Sequence, residues 1–374
     1  MKGTMKRVGL GIGLLLLVCL MVGCSNEEKI NELIQQGDTA YNEGKFTEAV
    51  DVYTQILELD DTKDEIYNNR GMAYMKQKQY IKAANDFTQA IELDNTVDVY
   101  YNNRGLAKYY DAALDDAIAD FTLAIEMNGS DVNYYSNRGD AYTGKVEYEK
   151  AVQDYNKALE LDPERVVTFN NRASAYFNMG LFEEAVADYT VALEKEPENS
   201  VVYWNRGEAY RMLGKYEEAV ADYDMYEQTA ELGLGGEFCI KRAEANVALE
   251  NFEAALDDYT LAIEGNKSDK TLYLGRANIS YEMENYKDAI SDYDFYLMDY
   301  NDPIALGNRG YCHYMLGNID KALEDLNTCI ELKDDYAWAY FTRGQIYQEQ
   351  EKFEEAKADY EKANTLMDGA EAAE

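Results

Sequence analysis

Small and aromatic residues recur along the chain at the spacing of paired amphipathic helices. Between residues 200 and 235 these positions are Tyr203, Gly207 and Tyr210, then Ala219, Tyr223 and Tyr226. Each triplet covers one face of a helix with 3.6 residues per turn. Leu213-Gly214-Lys215 separates the triplets, and glycine suits the left-handed end of a helix. The pattern predicts two helices that are joined by a short turn and pack through these faces.

This helical hairpin recurs with a period of 34 residues, marked by the phrase Asn-Arg-Gly or a close variant. The arginines of five successive copies are Arg70, Arg104, Arg138, Arg172 and Arg206. With the arginine as seventh residue, the ten units span 30–63, 64–97, 98–131, 132–165, 166–199, 200–235, 236–269, 270–302, 303–336 and 337–370. A fixed period of this length predicts one elongated array in which each repeat contacts only its neighbours.

The pattern resembles that of the tetratricopeptide repeat family, whose unit is a 34-residue helix hairpin. The resemblance covers residues 30–370, and the copies keep one phase over most of that length. It implies an all-α fold, a right-handed superhelical solenoid of about ten helix-turn-helix repeats. It also implies a concave groove lined by the first helix of each repeat. Members of this family bind other proteins far more often than they catalyse reactions.

Two charged positions depart from the family pattern, in which the seventh residue of a unit is commonly leucine. Nine units carry arginine there and aspartate sixteen residues later, whereas the first unit has Gln36 and Val52. Because the two residues are present or absent together, we predict an ion pair within one unit. The pairs named as structural are Arg104–Asp120, Arg138–Asp154, Arg172–Asp188 and Arg206–Asp222. The other interpretation is that the arginines are displayed to bind an acidic ligand.

Asparagine precedes the arginine in six units. These residues are Asn69, Asn103, Asn137, Asn171, Asn205 and Asn308. Asparagine inside a helix is less favourable than alanine by up to about 0.7 kcal/mol, so a compensating role is expected. One interpretation places the amides in the groove, where a donor and an acceptor match an extended peptide backbone. This row resembles the asparagine ladder in the superhelical repeats of the O-linked N-acetylglucosamine transferase. The alternative is that the amides bond to each other or to backbone across units.

The N-terminal segment is typical of a bacterial lipoprotein signal peptide. Residues 1–7 carry the positive charges, and residues 8–22 are apolar but too short for a comfortable membrane span. Leu20-Met21-Val22-Gly23-Cys24 resembles the lipoprotein cleavage box. The resemblance implies removal of residues 1–23 and attachment of acyl chains such as palmitate to Cys24. Residues 24–29 would then be a tether of at most about 20 Å.

Other local features refine this organisation. Two additional residues in the segment 232–236 interrupt the phase and predict a hinge, and residues 371–374 form a short tail. Cys312 and Cys329 stand where other units have alanine, which indicates small core residues. His313 is the only histidine, and without a second ligand it indicates a packed or surface residue. The sequence shows no catalytic set and no phosphate-binding loop. We expect no enzyme activity, metal or cofactor.

The strongly negative charge of the chain limits which kinds of molecule it can bind. A formal net charge of −37 disfavours nucleic acid, which requires a basic surface for its phosphates. We therefore predict a membrane-anchored, non-enzymatic interaction scaffold of the bacterial cell envelope, lipid-anchored with its array on the extracytoplasmic side. Its groove would hold an extended peptide or partner protein. The alternatives are a structural subunit of an envelope assembly complex that uses its convex surface or edges, and an enzyme or glycan binder.

Overall fold

The computed structural model describes residues 27–230 and 236–371, and all regular structure within these ranges is α-helical. Cys24, most of the expected hinge at 232–236 and residues 372–374 lie outside the described residues. The helices are α1 (27–42), α2 (Phe46–Leu59), α3 (Asp64–Lys76), α4 (Tyr80–Leu93), α5 (Asp98–Tyr110), α6 (Leu114–Met127), α7 (Val132–Gly144), α8 (Tyr148–Leu161), α9 (Val166–Asn178), α10 (Phe182–Lys195), α11 (Ser200–Met212), α12 (Tyr216–Thr229), α13 (Gly236–Ala248), α14 (Phe252–Gly265), α15 (Lys270–Glu282), α16 (Tyr286–Leu297), α17 (Pro303–Met315), α18 (Ile319–Leu332), α19 (Ala337–Glu349) and α20 (Phe353–Glu371). The all-α, repeated helix-turn-helix fold expected from the sequence is confirmed.

The helices fall into two compact units that divide between Pro197 and Glu198. The first unit contains α1–α10 and the second contains α11–α20. Within each unit the two helices of a repeat pack together, and the second helix packs on the first helix of the next repeat. First helices of successive repeats also contact each other, as α3, α5, α7 and α9 do in the first unit. The first helices α3, α5, α7 and α9 therefore share one face of the first unit.

The turn inside each repeat has one backbone geometry. The residue two positions after the first helix adopts a positive φ, and in four repeats it is glycine, with φ between 71° and 77° (Gly44, Gly180, Gly214 and Gly317). The other six repeats place a non-glycine residue there, with φ between 58° and 63° (Lys78, Ala112, Val146, Glu250, Glu284 and Glu351). The next backbone N–H then donates to a carbonyl in the last turn, as Glu147 N does to Tyr142 O at 2.9 Å. The turn is thus kept even where glycine is replaced.

The glycine after the arginine lies against a side chain of the second helix. In the structure, a Cβ on Gly139 would lie 2.6 Å from the Tyr155 ring, and one on Gly71 would lie 2.7 Å from the Phe87 ring. Glycine at these positions therefore makes room for an aromatic ring sixteen residues later. At Gly310 the residue sixteen positions later is Leu326, and the Ala322 backbone O would also lie 3.3 Å from the added Cβ.

Alanines and tyrosines form most of the core between the helices. Ala151 and Tyr155 of the fourth repeat are buried and pack with Ala175 of the fifth, and Ala141 packs with Ala117 and Phe121 of the third. Cys312 and Cys329 are fully buried free thiols, which agrees with their interpretation as small core residues. Among the described residues, none of the helices combines the length and apolar character needed to cross a membrane.

Candidate functional site

Every described arginine at the seventh repeat position binds the aspartate sixteen residues later. Arg138 is representative: Nε donates to Asp154 Oδ2 and Nη2 donates to Asp154 Oδ1, both at 2.7 Å. The same contact joins Arg70–Asp86, Arg104–Asp120, Arg172–Asp188, Arg206–Asp222, Arg242–Asp258, Arg276–Asp292, Arg309–Asp325 and Arg343–Asp359. The pairs are parallel charge-assisted hydrogen bonds, except that Arg242 uses a less regular geometry. The pairing lies within one repeat.

The remaining guanidinium nitrogen reaches the preceding repeat. Arg138 Nη1 donates to Thr122 Oγ1 at 3.1 Å, and Arg172 Nη1 donates to Asn156 Oδ1 at 2.6 Å. Equivalent acceptors sixteen residues before the arginine are Thr54, Thr88, Thr260 and Asn327. Arg242 and Arg309 instead bind carboxylates of the preceding second helix, at Asp224, Glu227 and Asp294. Each of these arginines therefore joins its own hairpin to the previous one, a contact that the sequence analysis missed.

These arginines are already engaged on several sides. Eight of them lie over an aromatic ring three or four residues earlier, with guanidinium-to-centroid distances between 4.8 and 6.0 Å. Hydrogen bonding to Asp120 raises the pKa of Arg104 and outweighs the effect of burial. The nine arginine side chains are only 11–24% exposed. This arrangement favours a structural role over display to an acidic ligand.

The asparagines of the first unit form a chain of side-chain hydrogen bonds across three first helices. Asn137 Nδ2 donates to Asn102 Oδ1 at 2.8 Å, and Asn103 Nδ2 donates to Asn68 Oδ1 at 2.9 Å. Longer bonds of 3.4 and 3.3 Å connect Asn102 to Asn103 and Asn68 to Asn69 within their helices. The chain therefore runs from α7 through α5 to α3 and ends at Asn69. We call these five residues the amide ladder.

The amide ladder borders a cleft of about 440 Å³ on the shared face of the first helices. The cleft is lined by Asp38, Tyr41, Asn42, Tyr53, Asn68, Asn69, Met72, Val99 and Asn103. Within the described residues Asn69 accepts one hydrogen bond, and its Nδ2 has no acceptor. Asp38 accepts from the Tyr53 hydroxyl at 2.7 Å. The lining thus combines amide donors and acceptors with apolar and aromatic surface.

The other predicted asparagines have different surroundings. Asn171 Nδ2 donates to Asp140 Oδ1 at 2.9 Å, and Asp140 also accepts from the Tyr155 hydroxyl. Burial raises the pKa of Asp140, and these two hydrogen bonds partly offset that effect. Asn308 donates to the Tyr293 hydroxyl and accepts from the Tyr336 hydroxyl, and Asn205 is half-buried on α11. Asn171 and Asn308 therefore bond to aspartate or tyrosine side chains and do not extend the amide ladder.

Sequence reasoning missed two of the five residues of the amide ladder. Asn68 and Asn102 stand two positions before their arginines, and they supply the acceptors for the bonds between helices. The repeated phrase Asn-Asn-Arg at 68–70, 102–104 and 170–172 was the available signal. The contacts between repeats correspond to the second of the two interpretations given for the asparagines. They leave the cleft side of Asn69 open.

The remaining candidate chemistry is sparse in the part of the chain that the structure describes. It contains no group of three or more His, Cys, Asp or Glu side chains arranged to hold a metal ion. His313 is buried, its Nδ1 makes no hydrogen bond there, and burial lowers its pKa. Burial raises the pKa of the Cys312 thiol to about 12, which makes it a poor nucleophile.

Comparison with known families settles the class of protein. Tetratricopeptide repeat models match residues 65–96 and 132–165, 170–231, and 302–367, and a further TPR repeat model matches 37–78. Together the matches cover more than half of the chain. The chain belongs to the tetratricopeptide repeat family. Proteins of this family serve as scaffolds that bind other proteins or peptides, and no catalytic family is indicated.

Curated relatives share only stretches of repeats with this tetratricopeptide repeat protein. Human tetratricopeptide repeat protein 6 is 30% identical over 112 residues, which are 30% of this chain and 22% of that protein. Human DnaJ homolog subfamily C member 7 is 44% identical over 55 residues, which are 15% of this chain and 11% of that protein. The matched segments thus span less than a quarter of the length of either relative.

Solved structures with the same fold cover more of the chain. A tetratricopeptide repeat protein from Parabacteroides merdae is 18% identical and covers 67% of this chain and 99% of its own, with a TM-score of 0.51. The C-terminal part of a repeat protein from Cytophaga hutchinsonii is 17% identical and covers 64% and 98%, with a TM-score of 0.54. PilW, a type IV pilus biogenesis factor, is 19% identical and covers 56% and 96%, with a TM-score of 0.51. These similarities establish the fold alone.

Proposed function

We propose that this protein is a membrane-anchored, non-enzymatic scaffold that holds an extended segment of a partner protein against its first helices. The observation that carries the proposal is the cleft beside the amide ladder. Its lining places the open amide of Asn69 next to the Tyr41 and Met72 side chains. An extended chain has unpaired backbone N–H and C=O groups, which amides satisfy while apolar surface receives side chains.

Site-specific photo-crosslinking in cells tests where the partner lies. A photoreactive residue at Met72 reports on the cleft, and one at the 41% exposed Leu123 of α6 reports on a second helix. We expect a partner band from Met72 that weakens with Asn69→Ala. This substitution removes only one long hydrogen bond, so circular dichroism should show an unchanged fold. A partner band from Leu123 alone would contradict groove binding.

Attachment to the membrane is a separate part of the proposal and rests on the sequence around Cys24. Cys24 is the expected acylation site after removal of residues 1–23. Two or three acyl chains give stable attachment where one gives only marginal binding. Labelling with a palmitate analogue should mark the wild type but not Cys24→Ser, and the variant should leave the membrane fraction. Unchanged labelling of Cys24→Ser would refute lipid anchoring at this residue.

One observation favours the alternative of a structural subunit in an envelope assembly complex. The last residues of α4, α6 and α8 are apolar and exposed: Leu93 by 44%, Met127 by 40% and Leu161 by 38%. They repeat at intervals of 34 residues and so form a row along the second helices. Leu93→Asp with Leu161→Asp should release the protein from such a complex. Co-purification that is lost in this variant but kept in Asn69→Ala would select the alternative.

A further inference from the structure

A row of partly exposed aromatic rings crosses the first helices of the last three repeats. We call it the aromatic strip, and its members are Tyr281, Tyr286, Tyr311, Tyr314, Trp338 and Phe341. The Tyr311 ring lies 5.5 Å from both the Tyr281 and Trp338 rings, measured between centroids. Trp338 and Phe341 stack at 5.4 Å with an interplanar angle of 15°. The rings of α15, α17 and α19 are thus in mutual contact, and Tyr286, at the start of α16, joins them through Tyr311 at 6.0 Å.

Repeat register puts the aromatic strip on the equivalent face to the cleft of the first unit. Among the cleft residues, Val99 lies five residues before the arginine of its repeat. Asn68 and Met72 lie two residues before and two residues after theirs. The strip residues at these same three positions are Trp338, Phe341 and Tyr311. The last repeats therefore present aromatic rings where the first unit presents amide and aliphatic side chains.

The strip has the chemistry of a surface for a rigid extended chain. Aromatic rings offer large contact areas at a low cost in side-chain entropy, and their polar tips can bond a ligand. Here the Trp338 indole N–H is buried beside the Tyr281 hydroxyl, so the partly exposed ring surfaces are what the strip offers to a ligand. A polyproline II helix is extended and preformed, and aromatic-lined grooves are a common way to bind it.

Negative charge beside the aromatic strip favours a ligand with basic residues on either side of its apolar segment. Asn42 lines the cleft and is the thirteenth residue of its repeat. The thirteenth residues of repeats eight and ten are Glu282 and Glu349. Both glutamates are exposed and form no ion pair among the described residues. Glu349 accepts from the Tyr314 hydroxyl at 2.6 Å, which holds its carboxylate beside the rings. We propose that the aromatic strip binds a proline-rich segment with basic flanking residues.

Tryptophan fluorescence can report this binding directly. The chain has two tryptophans, so Trp204→Phe leaves Trp338 as the only indole. Three neighbouring helices about 9 Å apart span about 20 Å, which a polyproline II segment covers with about seven residues. The probe is therefore a peptide of about eight prolines between arginines. Three control ligands are used. A glycine-serine peptide with the same flanking arginines tests the need for proline, and an oligoproline flanked by glutamates tests the need for basic flanks. A chito-oligosaccharide tests for sugar binding.

We expect a saturable change in Trp338 emission with the arginine-flanked oligoproline and binding at least about tenfold weaker for each control. Tyr311→Leu and Phe341→Leu should weaken binding about tenfold, whereas Tyr41→Leu, an aromatic of the N-terminal cleft, should not. Circular dichroism of each variant checks its fold. No saturable change, equal binding of the glycine-serine peptide, preference for the sugar, or unchanged binding in Tyr311→Leu would overturn the proposal. Asn69→Ala belongs to the other site and should leave this binding intact.

Discussion

The contact between Arg172 and Asp188 offers the sharpest test of how these repeats are held together. Two hydrogen bonds of 2.6 and 2.7 Å join the side chains, and Arg172 also donates to Asn156 of the preceding repeat. We consider Arg172→Met and Asp188→Leu, singly and combined. Each single substitution leaves one charge facing an apolar side chain, whereas the combination replaces the pair by apolar groups of similar size.

The magnitude follows from the burial of the pair. Breaking a buried ion pair from one side costs about 3–5 kcal/mol, while replacing both partners with apolar residues is often neutral or stabilising. The Asp188 side chain is 9% exposed and the Arg172 side chain is 19% exposed, so water still screens part of the charge. We therefore expect each single variant to lose about 2–3 kcal/mol and the double variant to lie within about 1 kcal/mol of the wild type. The coupling energy should exceed about 2 kcal/mol.

Hydrogen exchange of the α9 and α10 amides is the appropriate assay. A repeat array unfolds as coupled neighbours, and a single global free energy of unfolding does not describe it well. Exchange read by mass spectrometry gives the local opening free energy, and urea denaturation gives the global trend. Lys157 and Glu160 form an exposed ion pair at 2.8 Å and serve as the control, whose double-mutant cycle should show no coupling. Additive losses at Arg172 and Asp188 would refute the reasoning.

Three further predictions concern the turn, the histidine and the buried thiols. Val146→Gly should raise the melting temperature. A left-handed backbone costs a non-glycine residue about 1–2 kcal/mol, which exceeds the cost of the greater conformational entropy that glycine gives the unfolded chain. Val167→Gly, at a similarly exposed site inside a helix, should lower the melting temperature. Burial lowers the pKa of His313, so its contribution to stability is complete above the ordinary pKa near 6.5 and is lost as pH falls from that value through the lower pKa of the folded protein. Amides of α17 should thus exchange faster relative to their intrinsic rates at pH 5.5 than at pH 7.5, and His313→Gln should abolish the difference. With the pKa of Cys312 raised to about 12, a disulfide reagent at pH 8 should label this thiol only after unfolding, and rapid native labelling would contradict its burial.

The sequence predicted the elements of the fold well because its constraints are local and repeated. Helix periodicity, the turn glycines and the 34-residue spacing each appear many times, so one irregular copy does not obscure them. The Arg–Asp contact was also visible, because the first repeat lacks both residues and all the others have both. Comparing ten repeats showed that the arginine and the aspartate occur together, which the sequence of a single hairpin could not show.

Contacts between repeats were harder to foresee. Thr122 and Asn156 are polar residues on second helices, and nothing in their local pattern distinguishes them from solvated positions. Which of them reaches the next arginine depends on the rotation from one repeat to the next, which periodicity does not give. The same rotation determines that Asn103 bonds to Asn68 and not to Asn69. Sequence reasoning therefore found the row of asparagines but not its partners.

The residues of the cleft and of the aromatic strip also join neighbouring repeats, but by different kinds of contact. In the first unit, Asn68 and Asn103 both line the cleft and bond across helices, so a change of ligand chemistry there also alters the contact between repeats. In the last repeats, Tyr311 and Phe341 contact the neighbouring rings, and the arginine network lies elsewhere in the repeat. Substitutions in the aromatic strip therefore leave the Arg–Asp pairs in place but alter ring packing between repeats, whereas those in the amide ladder alter hydrogen bonds between repeats.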